Sequence, residues 1–271
     1  MNRLRSSHLL TFIVAAGMIA CTDDEATNSE QTLVVESYLY VGHPFKVVVS
    51  NLVGTSPTDI DHFSLSVSHD GEIVYLNPAG DGTYTSNDDG IVKDNEGDYN
   101  LKFSNGDTEI SSLAVVPSKP VDFSLSVTEL SIEPRSVTFP GNGPGNFIDN
   151  SVELTWSNTN NEYYFPFFEN IEDDPELINT RVDTVGNRPM AFFRGEPTQE
   201  SSSQIRQGQF EYYGRYNVIL FHVNADYAAL YKEQDNSSSL NLQPPFTNVV
   251  NGMGIFTAIH SDTIVLTIKK P

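Results

Sequence analysis

The sequence predicts an all-β protein built as two β-sandwich domains in tandem, with one short helix in the second. Three observations carry this. Short apolar runs alternate with a period of two: Phe63, Leu65 and Val67 fall on one side, Ser64, Ser66 and Ser68 on the other. That is the pattern of a strand with one buried face. Clusters of Gly, Asp, Asn and Pro punctuate the runs at short intervals. Only Ala225–Gln234 reads as a helix, and no fixed-period repeat is present.

The elements follow in order. Thr32–Tyr40 and Lys46–Leu52 are strand candidates. Phe63–His69 and Ile73–Leu76 flank His69-Asp70-Gly71, a tight hairpin turn. Segments 81–85 and 97–103 enter strands from Gly/Asp turns, and Ile110–Val116 closes the series. About seven strands in this span suit a small antiparallel sandwich. Pro117-Ser118-Lys119-Pro120 marks a boundary, because prolines end strands and stiffen linkers. Beyond it Phe123, Leu125 and Val127 alternate with serines, and residues 140–150 form a loop rich in Gly and Pro. Ser151–Trp156 and Tyr163–Phe168 are the next strands, and Pro166 places the latter at an edge or a bulge. Residues 169–209 are the least regular and are expected to be an insertion. Arg215–His222 is a strand. The helix follows, with Asn224 as its candidate cap and Asp226 in its first turn. Ser261–Lys269 is the last strand.

Composition narrows the function. The chain has 271 residues, 15 Lys+Arg against 36 Asp+Glu, a net charge of −21 and one cysteine. So acidic a chain argues against nucleic acid as a partner, since phosphate binding needs clustered Lys/Arg. One cysteine excludes an internal disulfide, a CxxC pair and a multi-cysteine zinc site.

The N-terminus carries an address. Arg3 and Arg5 precede an apolar run from Leu9 to Ala20. The run is too short to span a bilayer, which takes about 20 residues, and residues 1–20 read as a secretory signal. Ile19-Ala20-Cys21 resembles the lipobox of bacterial lipoproteins, with Met18 where that motif prefers Leu. The resemblance implies a diacylglycerol and acyl lipid on Cys21, and no other cofactor is expected. Several acyl chains give stable membrane anchoring where one does not. Asp23, Asp24 and Glu25 come next and resemble the surface-export signal of Bacteroidota lipoproteins, which implies an outer-membrane location facing the cell exterior. A solvated acidic tether is the other reading. Residues 21–31 as a whole look like a flexible acidic leash.

No constellation reads as catalytic. His43, His62, His69, His222 and His260 show no metal-ligand spacing, and there is no GxSxG elbow around Ser201–Ser203. With so many acids, candidate carboxylate pairs are always available and carry no weight. Residues 87–90 and 94–98 are dense in oxygen ligands but miss the EF-hand pattern, and turns need the same residues. Glu172, Asp173 and Asp174 read as a solvated face. Gly252 and Gly254 form a GxG with no βαβ context, which reads as a turn entering a strand. Trp156, the only tryptophan, is read as a core anchor. Its segment resembles the B and C strands of fibronectin type III domains. Tyr163, Tyr164, Phe165, Tyr212 and Tyr213 are candidate interface anchors, with domain core as the alternative.

The lipoprotein start, LVVESYLY, the GDGTYTS turn, SVELTW and the closing PPFTNVVNGMGIF together resemble a family. In that closing stretch Pro244, Pro245, Asn248, Asn251, Gly252, Gly254 and Phe256 carry the likeness. It is similar to the uncharacterised Bacteroidota outer-membrane lipoproteins whose genes often neighbour TonB-dependent receptors. The resemblance implies an immunoglobulin-like domain over 32–117 and a fibronectin-III-like domain over 118–271. It implies no catalytic residues. The expected role is a non-enzymatic accessory or substrate-capture partner of such a receptor. A free-standing glycan-, peptide- or calcium-binding module is the alternative.

Overall fold

The computed structural model describes residues 32–52, 59–87, 91–94, 97–134, 151–179, 189–235 and 246–271. The first strands lie close to the predicted runs: β1 (Leu33–Tyr40), β2 (Lys46–Asn51), β3 (Ser66–His69, shorter than the Phe63–His69 alternation) and β4 (Glu72–Tyr75). Next come β5 (Asn77–Gly80), β6 (Thr83–Thr85), β7 (Asp98–Asn105) and β8 (Thr108–Val115). After the prolines follow β9 (Val121–Leu125), β10 (Glu129–Ser131), β11 (Ser151–Ser157) and β12 (Tyr163–Asn170). Then come β13 (Phe192–Arg194), β14 (Ser202–Arg206), β15 (Gly214–Val223) and helix α1 (Ala225–Asp235). The chain closes with β16 (Val249–Val250) and β17 (Met253–Lys269).

Several expectations change. Residues 169–209 are not a plain insertion, because β13 pairs with β12 and β14 with β11. β14 shows no alternation because Ile205 is its one buried residue. The final strand is also much longer than Ser261–Lys269. It begins at Met253 and runs for 17 residues.

That length sets the architecture. The first half of β17 pairs in parallel with β1, from Val34↔Met253 to Tyr40↔Ile259. Its second half pairs antiparallel with β15, from Val223↔Ile259 to Gly214↔Ile268. A continuous sheet results, in the order β13-β12-β15-β17-β1-β2-β6-β5, with β10 added in parallel to the end of β17. Two smaller sheets complete the sandwiches. β16-β8-β7-β3-β4 and the β1 side of the large sheet belong to one module, β14-β11-β9 and the β15 side to the other. The two parallel pairings depart from the expected antiparallel pattern. In each module an early strand lies beside β17.

Each module has its own core. Val35, Leu39, Val47, Leu101 and Phe103 belong to the first, and Leu154, Trp156, Phe168, Val218 and Ile268 to the second. Phe256 and Ala258 join the first core, while Leu266 and Ile268 join the second. These four residues share one face of β17, since their spacing is even. Full burial of a side chain the size of Phe256 or Leu266 contributes about 1.5–3 kcal/mol, so β17 stabilises both cores at once. A linear division at 117/118 is therefore corrected: Val249, Phe256 and Ala258 pack in the first module although they follow α1 in sequence. β17 fills the side of β1 that β2 leaves free.

The closing motif makes the re-entry. Asn248 donates from Nδ2 to the Phe256 carbonyl (2.9 Å) and accepts at Oδ1 from the Phe256 amide (3.0 Å). Its Nδ2 also donates to Asp226 of α1 (2.8 Å), and its carbonyl accepts from the buried Ser112 hydroxyl (2.8 Å). Asn251 adopts φ 57° and its side chain donates to the Glu109 carbonyl. Gly254 sits at φ 103°, where an added Cβ would drive into the Val35 carbonyl oxygen. This is the turn entering a strand that the GxG spacing predicted.

Two outcomes follow. Gly254→Ala is expected to cost about 2–4 kcal/mol, from the disallowed backbone and the lost close approach, measured as a lower denaturant midpoint at unchanged slope. A fragment of residues 32–117 lacks β17, and its amide spectrum is expected to be collapsed. A dispersed spectrum from that fragment would contradict the shared-strand architecture.

Candidate functional site

The two cores occupy one face of the large sheet. Its other face carries Glu36, Tyr38 and Tyr40 of β1, Ile259, Ser261 and Thr263 of β17, and Ile219 and Phe221 of β15. Phe165 and Phe167 of β12 and Phe192 of β13 continue it. The cross-strand pairs Tyr40↔Ile259, Phe221↔Ser261 and Phe165↔Phe221 fix this assignment. β12 and β15 are thus apolar on both sides, and α1 covers only part of the second side. Phe165 stacks on Tyr227 of α1 (5.5 Å), and Tyr38 meets the same ring edge-on (5.9 Å). Arg194 lies over the Tyr231 ring at 4.8 Å. Asn224 sits at the predicted cap position, its carbonyl accepting from the Ala228 amide (3.2 Å), and its side-chain amide donates to the Val115 carbonyl (2.7 Å), which ties the start of α1 to the end of β8.

Beyond the helix no described element covers the face. A groove of about 910 Å³ crosses the junction of the modules, lined by Glu36, Tyr38, Tyr40, Lys46, Phe221 and Ser261 among others. From Phe221 in its lining, aromatic contacts run out of the groove across β12 to β13. Phe192 meets Phe167 at 5.6 Å, Phe167 meets Phe221 at 6.2 Å, and Phe221 meets Tyr40 at 6.3 Å. Tyr40 in turn meets His43 at 6.3 Å. The rings of this stripe lie within the separations at which aromatic pairs attract. The stripe crosses from β13 to β1, four strand spacings or about 19 Å. Tyr40 and Phe192 are 43% and 48% exposed, so its two ends face solvent.

Electrostatics within the groove favour neutral phenols beside one carboxylate. Burial pushes the Tyr38 hydroxyl up to about 12, and the charge and hydrogen bond of Glu36 add to this. Burial raises Tyr40 as well. Both remain hydrogen-bond donors at any physiological pH.

The residues singled out from the sequence fall as follows. Cys21, Asp23, Asp24 and Glu25 lie outside the described residues, as does loop 140–150. Of the five candidate interface aromatics, Tyr164, Tyr212 and Tyr213 are buried in the second core, and Phe165 is buried beneath α1. These four are corrected to structural roles, because their alternation in β12 and the Tyr212 and Tyr213 hydrogen bonds to backbone carbonyls turn them inward. Tyr163 is half-buried at the edge of the free face. Trp156 is 4% exposed and packs on Tyr164, as a core anchor should. Three histidines are buried: His69 stacks on Tyr99, and His222 and His260 pair directly across β15 and β17. His222 bonds the Ser118 carbonyl (2.7 Å) and His260 bonds Asp94 (2.5 Å), so both serve at the module junction. His43 and His62 are exposed. Ser202 and Ser203 pair with β11. Glu172 accepts from the Arg215 backbone and guanidinium, an ion pair that lowers its carboxyl below the usual range. Part of each oxygen-rich turn, 88–90 and 95–96, lies outside the described residues. Among the described residues no three His, Cys, Asp or Glu side chains converge on a metal-sized site.

Tyr38, Tyr40, Phe192 and Phe221 were not singled out from the sequence, and Phe167 only as part of the aromatic run Tyr163–Phe168. A signal existed: Tyr163–Phe168 and Val218–Val223 are apolar at both parities, as strands covered on both faces are.

No protein-family model and no curated protein matches the chain. Among solved structures it is similar to domains A168–A170 of titin, at 9% identity and a TM-score of 0.22, covering 88% of this chain and 67% of that one. It is also similar to titin domains Z1Z2 in complex with telethonin, at 12% identity and a TM-score of 0.21, covering 89% and 95%. The all-β sandwich architecture rests on the sheets and cores described above.

The Tyr38 shift has a measurable consequence. Its folded value lies above the ordinary 10.0, so its contribution to stability is complete below that pH. It is lost as pH rises from about 10 through about 12. Tyr38→Phe should flatten the fall in thermal stability across that window and remove one late-titrating phenol from the tyrosinate absorbance curve. An unchanged curve would show Tyr38 to be solvated.

Proposed function

We propose that this chain is a non-enzymatic, lipid-anchored outer-membrane lipoprotein of the Bacteroidota type, facing the cell exterior. It presents the groove on the free face of its large sheet to a ligand or to a TonB-dependent receptor, as an accessory or substrate-capture subunit. The observation that carries this is the open aromatic stripe from Phe192 to Tyr40. Contiguous exposed apolar surface of this kind marks interaction sites, and clefts of several hundred Å³ with a few placed polar groups suit ligands. The two-module platform keeps the groove rigid, because β17 spans both cores. The N-terminal motif supports the anchoring half of the reading: Cys21 carries the lipid, and Asp23, Asp24 and Glu25 direct export. The groove's volume equally suits a free-standing glycan- or peptide-binding module, the second reading.

Affinity capture of the tagged chain from detergent-solubilised outer membranes tests the receptor partnership. A stoichiometric β-barrel receptor is expected, and its recovery should fall at least several-fold with Tyr40→Ala. Recovery of the chain alone from native membranes would overturn the partnership and leave the free-standing module. Cys21→Ser should move the protein from the membrane to the soluble fraction. Replacing Asp23, Asp24 and Glu25 by Ala should protect it from protease added to whole cells. Unchanged cleavage would refute the export reading.

A further inference from the structure

We propose that the occupant of the groove is a neutral oligosaccharide lying across the strands, with its sugar rings on the aromatic stripe. This rests on the reading of the groove as the protein's binding surface. A pyranose ring has apolar C–H faces and hydroxyls around its rim, so it stacks on an aromatic face while its edge bonds polar groups. The groove offers both in register. Tyr40 and Phe221 line the groove 6.3 Å apart with their planes at 65°, so each ring is offered to a different sugar residue. Glu36, Tyr38 and Tyr40 project from one face of β1 at alternate positions. The exposed Glu36 carboxylate accepts from paired sugar hydroxyls. Tyr38 donates its one hydroxyl hydrogen to Glu36 and holds that carboxylate in place, while Tyr40, kept protonated, donates to the sugar, as do Lys46 and Ser261 in the same lining.

Charge and polarity select among occupants. The chain's net charge of −21 repels polyanions, and the groove sets only Lys46 against Glu36. A purely apolar occupant would bury the charges of Glu36 and Lys46 and the Tyr40 hydroxyl without adding a hydrogen bond to any of them, which costs free energy. A neutral, hydroxyl-rich chain with apolar faces satisfies both conditions. The stripe, about 19 Å from β13 to β1, gives room for several sugar rings rather than one.

The test titrates the folded chain, lacking residues 1–20, with laminarihexaose, cellohexaose, maltohexaose and the anionic polymer polygalacturonate, followed by calorimetry and amide chemical shifts. At least one neutral hexaose is expected to bind and polygalacturonate to fail. Tyr40→Ala and Glu36→Gln should each weaken binding by about tenfold or more, in the range of interface hot spots. Both side chains are exposed, and an unchanged melting temperature confirms that each variant folds. Absence of binding by all three hexaoses overturns the proposal, as does binding indifferent to both substitutions. Tyr40-dependent receptor capture without sugar binding would make the groove a protein interface, overturning the sugar and leaving the proposed function standing. Tyr40-dependent dimerisation without sugar binding would assign the groove to a second copy, and also overturns it.

Discussion

Strand β17 runs through both cores, and the rest of the molecule is arranged around it. Residues Met253–Ile259 fill a position beside β1, and Ile259–Ile268 fill one beside β15. Removing either half would leave a sheet edge with unpaired backbone groups and an open core. The re-entry is costly in local conformation. It needs Gly254 at positive φ and Asn251 in the left-handed region, and Asn248 must stand in for a strand at the Phe256 backbone. Pairing along 17 residues and burial on both sides of the junction offset that cost.

A shared strand also decides where function can sit. Because both cores lie on one face of the large sheet, the opposite face is continuous across the module junction. Among the described residues no second sheet covers it, and α1 shields the portion over Phe165 and Tyr38. Apolar residues remain on the open portion, at Tyr40, Phe167, Phe192 and Phe221, where packing alone would not require them. The junction itself is polar and tied down. His222 and His260 face each other across the strands, one bonded to the linker carbonyl of Ser118 and the other to Asp94 of the first module. These bonds tie the linker and the first module to the β15–β17 pair.

Much of the fold was legible in the residues. Alternation located most strands to within a few positions, and the helix differs from its predicted span by one residue. Trp156 fell into the core because its strand alternates cleanly. What could not be read was long-range pairing. Nothing local in TNVVNGMGIF says that the strand after it returns to the first module, since that choice depends on which edge is vacant once β2 has paired. The groove was missed for the same reason. Tyr38 and Phe221 lie far apart in sequence, and only the β1-β17-β15 register brings them onto one face. The aromatic run at Tyr163–Phe168 drew attention by its density, yet density marks burial as readily as binding, and Tyr164 and Phe165 are buried.

The central claim is that β17 makes the two modules one cooperative unit. Native-state amide hydrogen exchange tests it most directly. The account predicts that core amides of β1, β15 and both halves of β17 exchange with one common opening free energy. Gly254→Ala should lower that value equally in the two modules. Two distinct opening energies, with only the first module responding to the substitution, would contradict it.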